Sequence, residues 1–166
     1  MLILDTNVWI LAFISDESEQ ASLRDSIEAG EERTAVSPYI YNEAVANFRG
    51  LHGLSRADED RAISNFTRFI TASPYVEAPT QADVERLDLD EVRGHSAYIA
   101  LGRVVDIQAK DAPIVALAVE YAAEIEASGS DEEVTIYTSD ESLGNLNPEA
   151  FGLNVQMEYI SYAKEE

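Results

Sequence analysis

The chain has 166 residues, a length that suits one domain with a substantial core. Apolar residues make up 46% of it, which excludes a disordered chain, and it contains no cysteine. The lack of cysteine excludes a disulfide framework, a thiolate metal site and a cysteine nucleophile. With only two histidines, any metal site would be mainly oxygen-ligated, which favours Mg²⁺ or Mn²⁺ over Zn²⁺.

Nothing in the sequence indicates a membrane protein or an exported one. No apolar run approaches the roughly 20 residues that cross a bilayer. The first residues lack the basic segment and the small-residue cleavage site of a signal peptide. We therefore expect a soluble, cytoplasmic protein with no membrane partner.

The formal net charge of −21 comes from 32 acidic residues against 11 basic ones. Such an acid-rich, lysine-poor composition is typical of proteins from a highly saline cytoplasm, where salt screens self-repulsion, and it predicts a halophilic source. An acidic surface that mimics a partner is the alternative, but it usually comes with fewer apolar residues and longer acidic runs. Residues 49–110 carry a net charge of only −2, so an anionic partner is least repelled there.

The first part of the chain alternates short apolar segments with helical patterns. Four elements are predicted: a buried strand at Leu2–Leu4, a helix over residues 17–29, a short strand at Ala35–Val36, and a helix from Pro38 to about Gly50. Ser37 followed by Pro38 is typical of an N-cap and a first helical position. Gly30 ends the preceding helix.

Residues 55–110 are predicted to be mainly helical. The elements are a helix from Ser55 that stops before Pro74, a strand at Tyr75–Val76, a helix from Thr80 to about Arg93, and a helix over residues 96–108. Ser55 and Thr80 are each followed three residues later by an aspartate, a pattern that resembles a capping box.

The last part of the chain begins with Asp111, from which apolar residues recur on one helical face up to Gly129. Val134–Thr138 is rich in β-branched and aromatic residues and predicts a strand, and residues 154–160 predict another. Short strands alternating with helices predict a three-layer α/β/α sandwich with a mainly parallel sheet, as a single domain over residues 1–166.

Four carboxylates stand at the junctions of these elements rather than on solvated faces: Asp5, Glu43, Asp111 and Asp140. Asp5 and Asp140 each follow a predicted strand, where ligands bind in parallel sheets. Carboxylates that share a pocket repel one another unless a cation neutralises them. A divalent metal does this and can activate a water for phosphodiester cleavage, without any need for cysteine or histidine.

Each of these residues also has a purely structural interpretation. Asp5, Asp111 and Asp140 could cap helices or turns, and Glu43 could be an exposed helical residue. Asn7 and Thr138, which flank the acids, could satisfy local backbone groups. No single position decides between a metal site and these structural roles.

Taken in order, the motifs resemble those of the PIN-domain family. The resemblance runs from residue 2 to about 155 and is carried by four segments: Leu2–Asn7, Asn42–Val45, Asp111–Ala118 and Thr138–Asp140. Pro113 departs from the family pattern, which more often has a residue with a free backbone N–H there. The chain is somewhat longer than the small VapC-like toxins of this family, and residues 80–108 would hold the extra helical material.

The resemblance implies a metal-dependent endoribonuclease that uses Mg²⁺ or Mn²⁺ and acts on RNA. Many small family members are VapC-like toxins that form homodimers and are held inactive by a cognate antitoxin. By position, the metal-coordinating or metal-orienting acids would be Asp5, Glu43, Asp111 and Asp140. Asn7 and Thr138 would support them.

The predicted contacts to RNA are arginines, because a phosphate backbone requires positive charge. Four arginines lie on the two helices that follow Glu43: Arg49, Arg56, Arg61 and Arg68. They could instead pair with nearby acids such as Asp58, Glu59 and Asp60.

Two other functions compete with the nuclease. An acid-pocket phosphatase or phosphoacceptor domain would need an aspartate nucleophile and a lysine, and Lys110 is the only lysine before Lys164. A non-catalytic PIN scaffold would bind RNA or protein partners without cutting. The presence of all four acids argues against the scaffold.

Overall fold

The computed structural model describes residues 1–162 and contains one five-stranded sheet. Its strands are β1 (Leu2–Leu4), β2 (Thr34–Ala35), β3 (Val76–Glu77), β4 (Thr135–Thr138) and β5 (Gln156–Tyr159). The spatial order is β3-β2-β1-β4-β5, and every neighbouring pair is parallel. Helices flank this sheet, so the predicted three-layer α/β/α sandwich is confirmed.

The strand order reverses beside β1, at the centre of the sheet. From β1 the chain adds β2 and β3 on one side, then returns to place β4 and β5 on the other. Ile3 of β1 pairs with Ile136 of β4, so the carboxyl ends of these two strands lie side by side. In parallel α/β sheets, ligands bind beyond the carboxyl ends at such a reversal.

Nine α-helices occur in the described part of the chain: α1 (Thr6–Ile14), α2 (Glu19–Glu28), α3 (Pro38–Arg49), α4 (Arg56–Ala72), α5 (Gln81–Arg86), α6 (Leu89–Arg93), α7 (Ser96–Val105), α8 (Ala112–Ala127) and α9 (Glu141–Gly144). A short 3₁₀ helix covers Pro148–Phe151. Helices α1, α3 and α4 contact one another, whereas α8 contacts α7 and the central strands β1 and β4.

Hydroxyl caps fix the helix starts that the sequence predicts. The Ser37 side chain accepts from the backbone N–H of Ile40, and Pro38 occupies the first turn of α3. The Ser55 hydroxyl accepts from the N–H of Asp58 at the start of α4. Thr80 caps α5 in the same way. Each cap satisfies a backbone donor that the first helical turn leaves free.

Two helical predictions are corrected by the structure, and a helix near the start of the chain was not predicted. The helix predicted from Thr80 to about Arg93 is two helices, because the Asp88 side chain accepts from the N–H groups of two following residues and starts α6. The helix predicted over residues 96–108 ends at Val105, since Asp106 adopts a left-handed conformation with φ 59°. Helix α1 was absent from the predicted elements because it is apolar on all sides and shows no helical periodicity.

The core is one cluster of buried apolar side chains on both faces of the sheet. Trp9, Phe48 and Phe66 are among its largest fully buried members, and the rings of Trp9 and Phe48 both pack against Phe66. Across residues 1–162, no helix combines the length and apolarity that a membrane crossing requires.

Candidate active site

The four predicted acids line one cavity at the carboxyl edge of β1 and β4. The cavity has a volume of about 780 Å³. Its walls include the four acids Asp5, Glu43, Asp111 and Asp140, the predicted supporting residue Asn7, and the cationic residues Arg93 and Lys110. The structure thus brings together side chains that are up to 135 positions apart in the sequence, because the topology places Asp5 and Asp140 beside the point where the strand order reverses.

Asp5 lies directly after β1 and is almost fully buried. Its Oδ1 accepts a 2.7 Å hydrogen bond from the backbone N–H of Thr6, and its Oδ2 accepts one of 2.7 Å from the Thr138 hydroxyl. Burial raises the pKa of Asp5 to about 7, and the neighbouring carboxylates Asp111 and Glu43 add to the increase. Asp5 therefore caps α1 and is also a buried acid that a cation would stabilise in its charged form.

Thr138 and Asn7 both hydrogen-bond to the segment that follows β4, and Thr138 also contacts Asp5. The Thr138 hydroxyl donates to Asp5 and accepts a 3.0 Å hydrogen bond from the N–H of Asp140. The side-chain oxygen of Asn7 accepts from the N–H of Ser139 at 3.2 Å. Thr138 satisfies a local backbone N–H and Asn7 one that is remote in sequence, and Thr138 in addition links the two acids that follow β1 and β4.

Glu43 projects from α3 and is only 7% exposed, so the interpretation of Glu43 as an exposed helical residue is wrong. Its Oε1 accepts from the Thr6 hydroxyl at 2.5 Å. Its Oε2 lies 2.9 Å from the Tyr39 hydroxyl and accepts a 2.7 Å hydrogen bond from Arg93. These donors hold the Glu43 carboxylate in the wall of the cavity.

Asp111 immediately precedes α8, yet its side chain makes no capping hydrogen bond. It is 5% exposed, and its buried Oδ2 has no hydrogen-bond partner among the described residues. Burial raises the pKa of Asp111 to about 6; Asp140 and Glu43 raise it further, while Lys110 opposes them. The capping role considered from the sequence is therefore not the one that Asp111 has, and its buried Oδ2 is left without a hydrogen-bond donor from residues 1–162.

Asp140 follows β4 and starts α9, with its Oδ1 accepting a 2.8 Å hydrogen bond from the N–H of Ser142. It is half-buried at the edge of the cavity. Because each carboxylate oxygen has two lone pairs, this cap leaves acceptor capacity free. Asp140 can therefore serve as a cap and face a cation at the same time.

The donor set fits a hard divalent cation. Over residues 1–162, no three acidic or histidine side chains already surround one point in the manner of a metal centre. The acids of the cavity nevertheless provide carboxylate oxygens as possible metal ligands, and one of these, the buried Oδ2 of Asp111, has no hydrogen-bond partner among the described residues. Mg²⁺ and Mn²⁺ take such ligands, whereas the two histidines lie elsewhere, His95 as the cap of α7 and His52 in an exposed turn.

The four arginines predicted to contact RNA do not line this cavity. Arg49 pairs with Asp60 and Glu59, and Arg61 pairs with Asp58, as the alternative interpretation expects. Arg56 is exposed at the start of α4. Arg61 and Arg68 border a separate groove of about 740 Å³ beside Phe13 and Phe69.

Sequence reasoning did not place Arg93 in the site and considered Lys110 only for the competing phosphatase, yet both cationic residues line the cavity. Both fall in the segment 49–110, whose near-neutral charge was the one available signal. Tyr159 and Tyr162 also border the cavity and are 43% and 60% exposed. Neither tyrosine belongs to a motif, so no local pattern could have found them.

A scan of the chain against protein-family models finds no match, and a search of curated proteins finds none either. The likeness to the PIN-domain family thus depends on the order of the acidic motifs and on an α/β/α fold that is compatible with it.

Proposed function

We propose that this protein is a Mg²⁺- or Mn²⁺-dependent endoribonuclease of the PIN-domain type. The observation that carries the proposal is the convergence of four acids in one cavity at the carboxyl edge of the sheet. Two of these acids, Asp5 and Asp111, are buried carboxyl groups whose pKa values lie near neutrality. Such a cluster is costly without a bound cation, and a catalytic metal site is the common reason for one.

In this proposal some side chains of the cavity bind the metal and others orient the metal-binding acids. Asp111 supplies the unpartnered oxygen, and Thr138 and the Thr6 backbone N–H fix the orientation of Asp5. Glu43 is oriented by Thr6 and Tyr39. These acids would hold Mg²⁺ or Mn²⁺, and the chemistry that such a cation would supply is neutralisation of the carboxylates and activation of water for phosphodiester hydrolysis.

We further propose that the protein is a VapC-like toxin, inhibited by an antitoxin protein and active as a homodimer in the cytoplasm of a halophile. Support comes from the four acidic motifs and from the net charge of −21. Expression from a tightly controlled promoter should arrest growth. Co-expression of a small reading frame adjacent to the gene should relieve the arrest, and Asp111→Asn should not arrest growth at all.

A phosphoacceptor function is the alternative that one observation favours, because Lys110 lines the same cavity as Asp5. A phosphoacceptor uses an aspartate nucleophile with a lysine close by. Borohydride trapping after incubation with acetyl phosphate tests it. Conversion of an aspartate to homoserine, the product of borohydride reduction of an aspartyl phosphate, would favour the phosphoacceptor, and its absence together with RNA cleavage would favour the nuclease.

The decisive assay is cleavage of total RNA in molar KCl with Mn²⁺ or Mg²⁺, comparing the wild type with Asp111→Asn. We expect cleavage that EDTA abolishes and that the variant lacks. The matched control is Glu158→Gln, which removes one negative charge from an exposed position on β5 and should cleave like the wild type. Folded, Mn²⁺-bound protein that cleaves no RNA would instead support the non-catalytic scaffold.

A further inference from the structure

Arg93 is the last residue of α6, and its side chain reaches into the acidic cavity. One terminal nitrogen of its guanidinium donates a 2.7 Å hydrogen bond to Oε2 of Glu43, and its Nε donates one of 3.2 Å to the Tyr39 hydroxyl. The guanidinium also lies over the Tyr39 ring, with its carbon 5.8 Å from the ring centroid. The side chain remains 34% exposed, so it is anchored at one edge and open at another.

The Arg93 guanidinium has N–H donors that the two anchoring hydrogen bonds do not use. It carries five N–H groups, of which two are used by Glu43 and Tyr39 in the described part of the chain. The remaining donors match the fork geometry by which arginine binds carboxylate or phosphate oxygens. An incoming ligand can therefore bind Arg93 without breaking either anchoring bond.

The anchors of Arg93 are themselves fixed. The Tyr39 hydroxyl lies 2.6 Å from the carbonyl oxygen of Lys110, directly before Asp111. The other oxygen of Glu43 is held by the Thr6 hydroxyl. The network joins α1, α3, α6 and the residue before Asp111, so little side-chain freedom remains to be lost when a ligand binds.

The charge of the cavity explains why such an arginine is needed. Five acids line it, namely Asp5, Glu43, Asp111, Asp140 and Glu141, against two bases. A polyanionic substrate is repelled from this cavity unless cations meet its phosphates. Other arginines are occupied by surface acids: Arg33 by Glu132, Arg49 by Asp60 and Arg86 by Asp83. Arg93 is instead paired with an acid of the site itself.

We infer that Arg93 binds a phosphate oxygen of the RNA backbone at the edge of the acidic cavity, with Glu43 and Tyr39 as its positioning residues. This inference rests on the proposed nuclease function. It differs from a purely structural ion pair, in which Arg93 would only neutralise Glu43 and would make no contact with substrate.

The test is the salt dependence of RNA binding, measured by the fluorescence anisotropy of a short labelled single-stranded RNA in Ca²⁺, with intactness of the RNA checked on a gel. Each phosphate contact contributes about 0.7 to the slope of log Kobs against log [KCl] on a single strand. Arg93→Gln should weaken binding and make the slope shallower by about 0.7. Arg93→Lys keeps the positive charge, so the salt dependence should stay that of the wild type. It should bind RNA more weakly, because lysine lacks the planar guanidinium that can donate two parallel hydrogen bonds.

The matched control is Arg86→Gln, which removes an exposed, ion-paired arginine of α5 that lies outside the cavity. It should keep both the affinity and the slope of the wild type. The buried Trp9 reports by its fluorescence whether each variant is folded.

Two results would overturn the assignment. An unchanged slope in Arg93→Gln, with altered Mn²⁺ affinity, would show that Arg93 serves only Glu43 and would leave the nuclease proposal intact. A folded wild type that neither binds nor cleaves RNA would overturn the nuclease proposal and the assignment of Arg93 with it.

Discussion

The Thr138 hydroxyl donates a 2.7 Å hydrogen bond to Oδ2 of Asp5, across 133 positions of sequence. The bond joins the ends of β1 and β4, the two strands at which the strand order reverses. The same hydroxyl accepts from the N–H of Asp140. The Thr138 hydroxyl oxygen thus holds the side chain of Asp5 and the backbone of Asp140, and we expect the positions of both acids to depend on it.

Thr138→Val tests this coupling with a side chain of nearly the same shape. The change leaves a buried carboxylate oxygen of Asp5 and the N–H of Asp140 without this partner, which should cost about 1–3 kcal/mol in the free energy of unfolding. Loss of a residue that orients a ligand should also weaken Mn²⁺ binding by about 10–100-fold. Thr138→Ser keeps the hydroxyl and should restore most of both quantities, as measured by urea unfolding and calorimetry.

The raised pKa of Asp5 predicts how the stability of the metal-free protein depends on pH. Between its ordinary value of 3.8 and its folded value of about 7, Asp5 binds a proton in the folded chain but not in the unfolded one. Protonation of Asp5 therefore stabilises the folded chain fully below its ordinary pKa of 3.8. This stabilisation is lost as the pH rises through the folded pKa of about 7.

Asp5→Asn should remove that contribution, because asparagine mimics the neutral acid at every pH. The asparagine amide can donate to the Thr138 hydroxyl oxygen, which accepts one hydrogen bond from Asp140 and has a second lone pair. We expect the variant to lose less stability than the wild type between about pH 4 and pH 7 in EDTA, and to be the more stable of the two above pH 7. Asp16→Asn, at an exposed position, should follow the wild type. Parallel curves for Asp5→Asn and the wild type would argue against a protonated Asp5.

Binding of Mn²⁺ should stabilise the folded chain through Asp111. At about 100 times its Kd, a ligand of the folded state adds about 2.7 kcal/mol to the free energy of unfolding. We expect this increase in the wild type and its absence in Asp111→Asn at the same Mn²⁺ concentration. Asp131→Asn, in the exposed acidic segment 131–133, should keep the full increase. Equal stabilisation of both variants would indicate diffuse binding to surface acids.

Gly102 positions the segment that leads to Asp111. A β-carbon at this residue would lie 2.8 Å from the backbone oxygen of Ile107, a contact that no side-chain rotation relieves. Gly102→Ala should therefore shift this segment, cost about 1–3 kcal/mol in the free energy of unfolding, and reduce stabilisation by Mn²⁺. In Gly50→Ala the nearest atoms are 3.8 Å away, so its stability should change by less than about 1 kcal/mol. Thermal unfolding of both variants compares them directly.

Much of the scaffold could be predicted from the sequence because its signals are local. The apolar run at Leu2–Leu4, the Ser37–Pro38 start of α3 and the β-branched strand before Asp140 each depend on neighbouring residues alone. Parallel strands bring their carboxyl ends to one edge, so the meeting of Asp5 with Asp140 also followed from the pattern.

The remaining features depend on contacts that the sequence does not display. Helix α1 is apolar on all sides, and this removes the periodicity that identifies a surface helix. The Asp88 cap divides the helical segment that ends at Arg93, and this break accompanies the approach of Arg93 to Glu43 across 50 positions. The arginines predicted to contact RNA therefore lie on α3 and α4, close to Glu43 in sequence, rather than on α6.

Anomalous scattering from crystals grown with Mn²⁺ tests most directly whether the four acids form a divalent-cation site. We predict a peak about 2.1 Å from Oδ2 of Asp111, the distance at which small divalent cations bind oxygen, with an oxygen of Asp5 or Asp140 also bound. Crystals of Asp111→Asn should lose that peak. Mn²⁺ found only at the surface acids of residues 131–133, with the cavity free of it at saturating concentration, would contradict such a site.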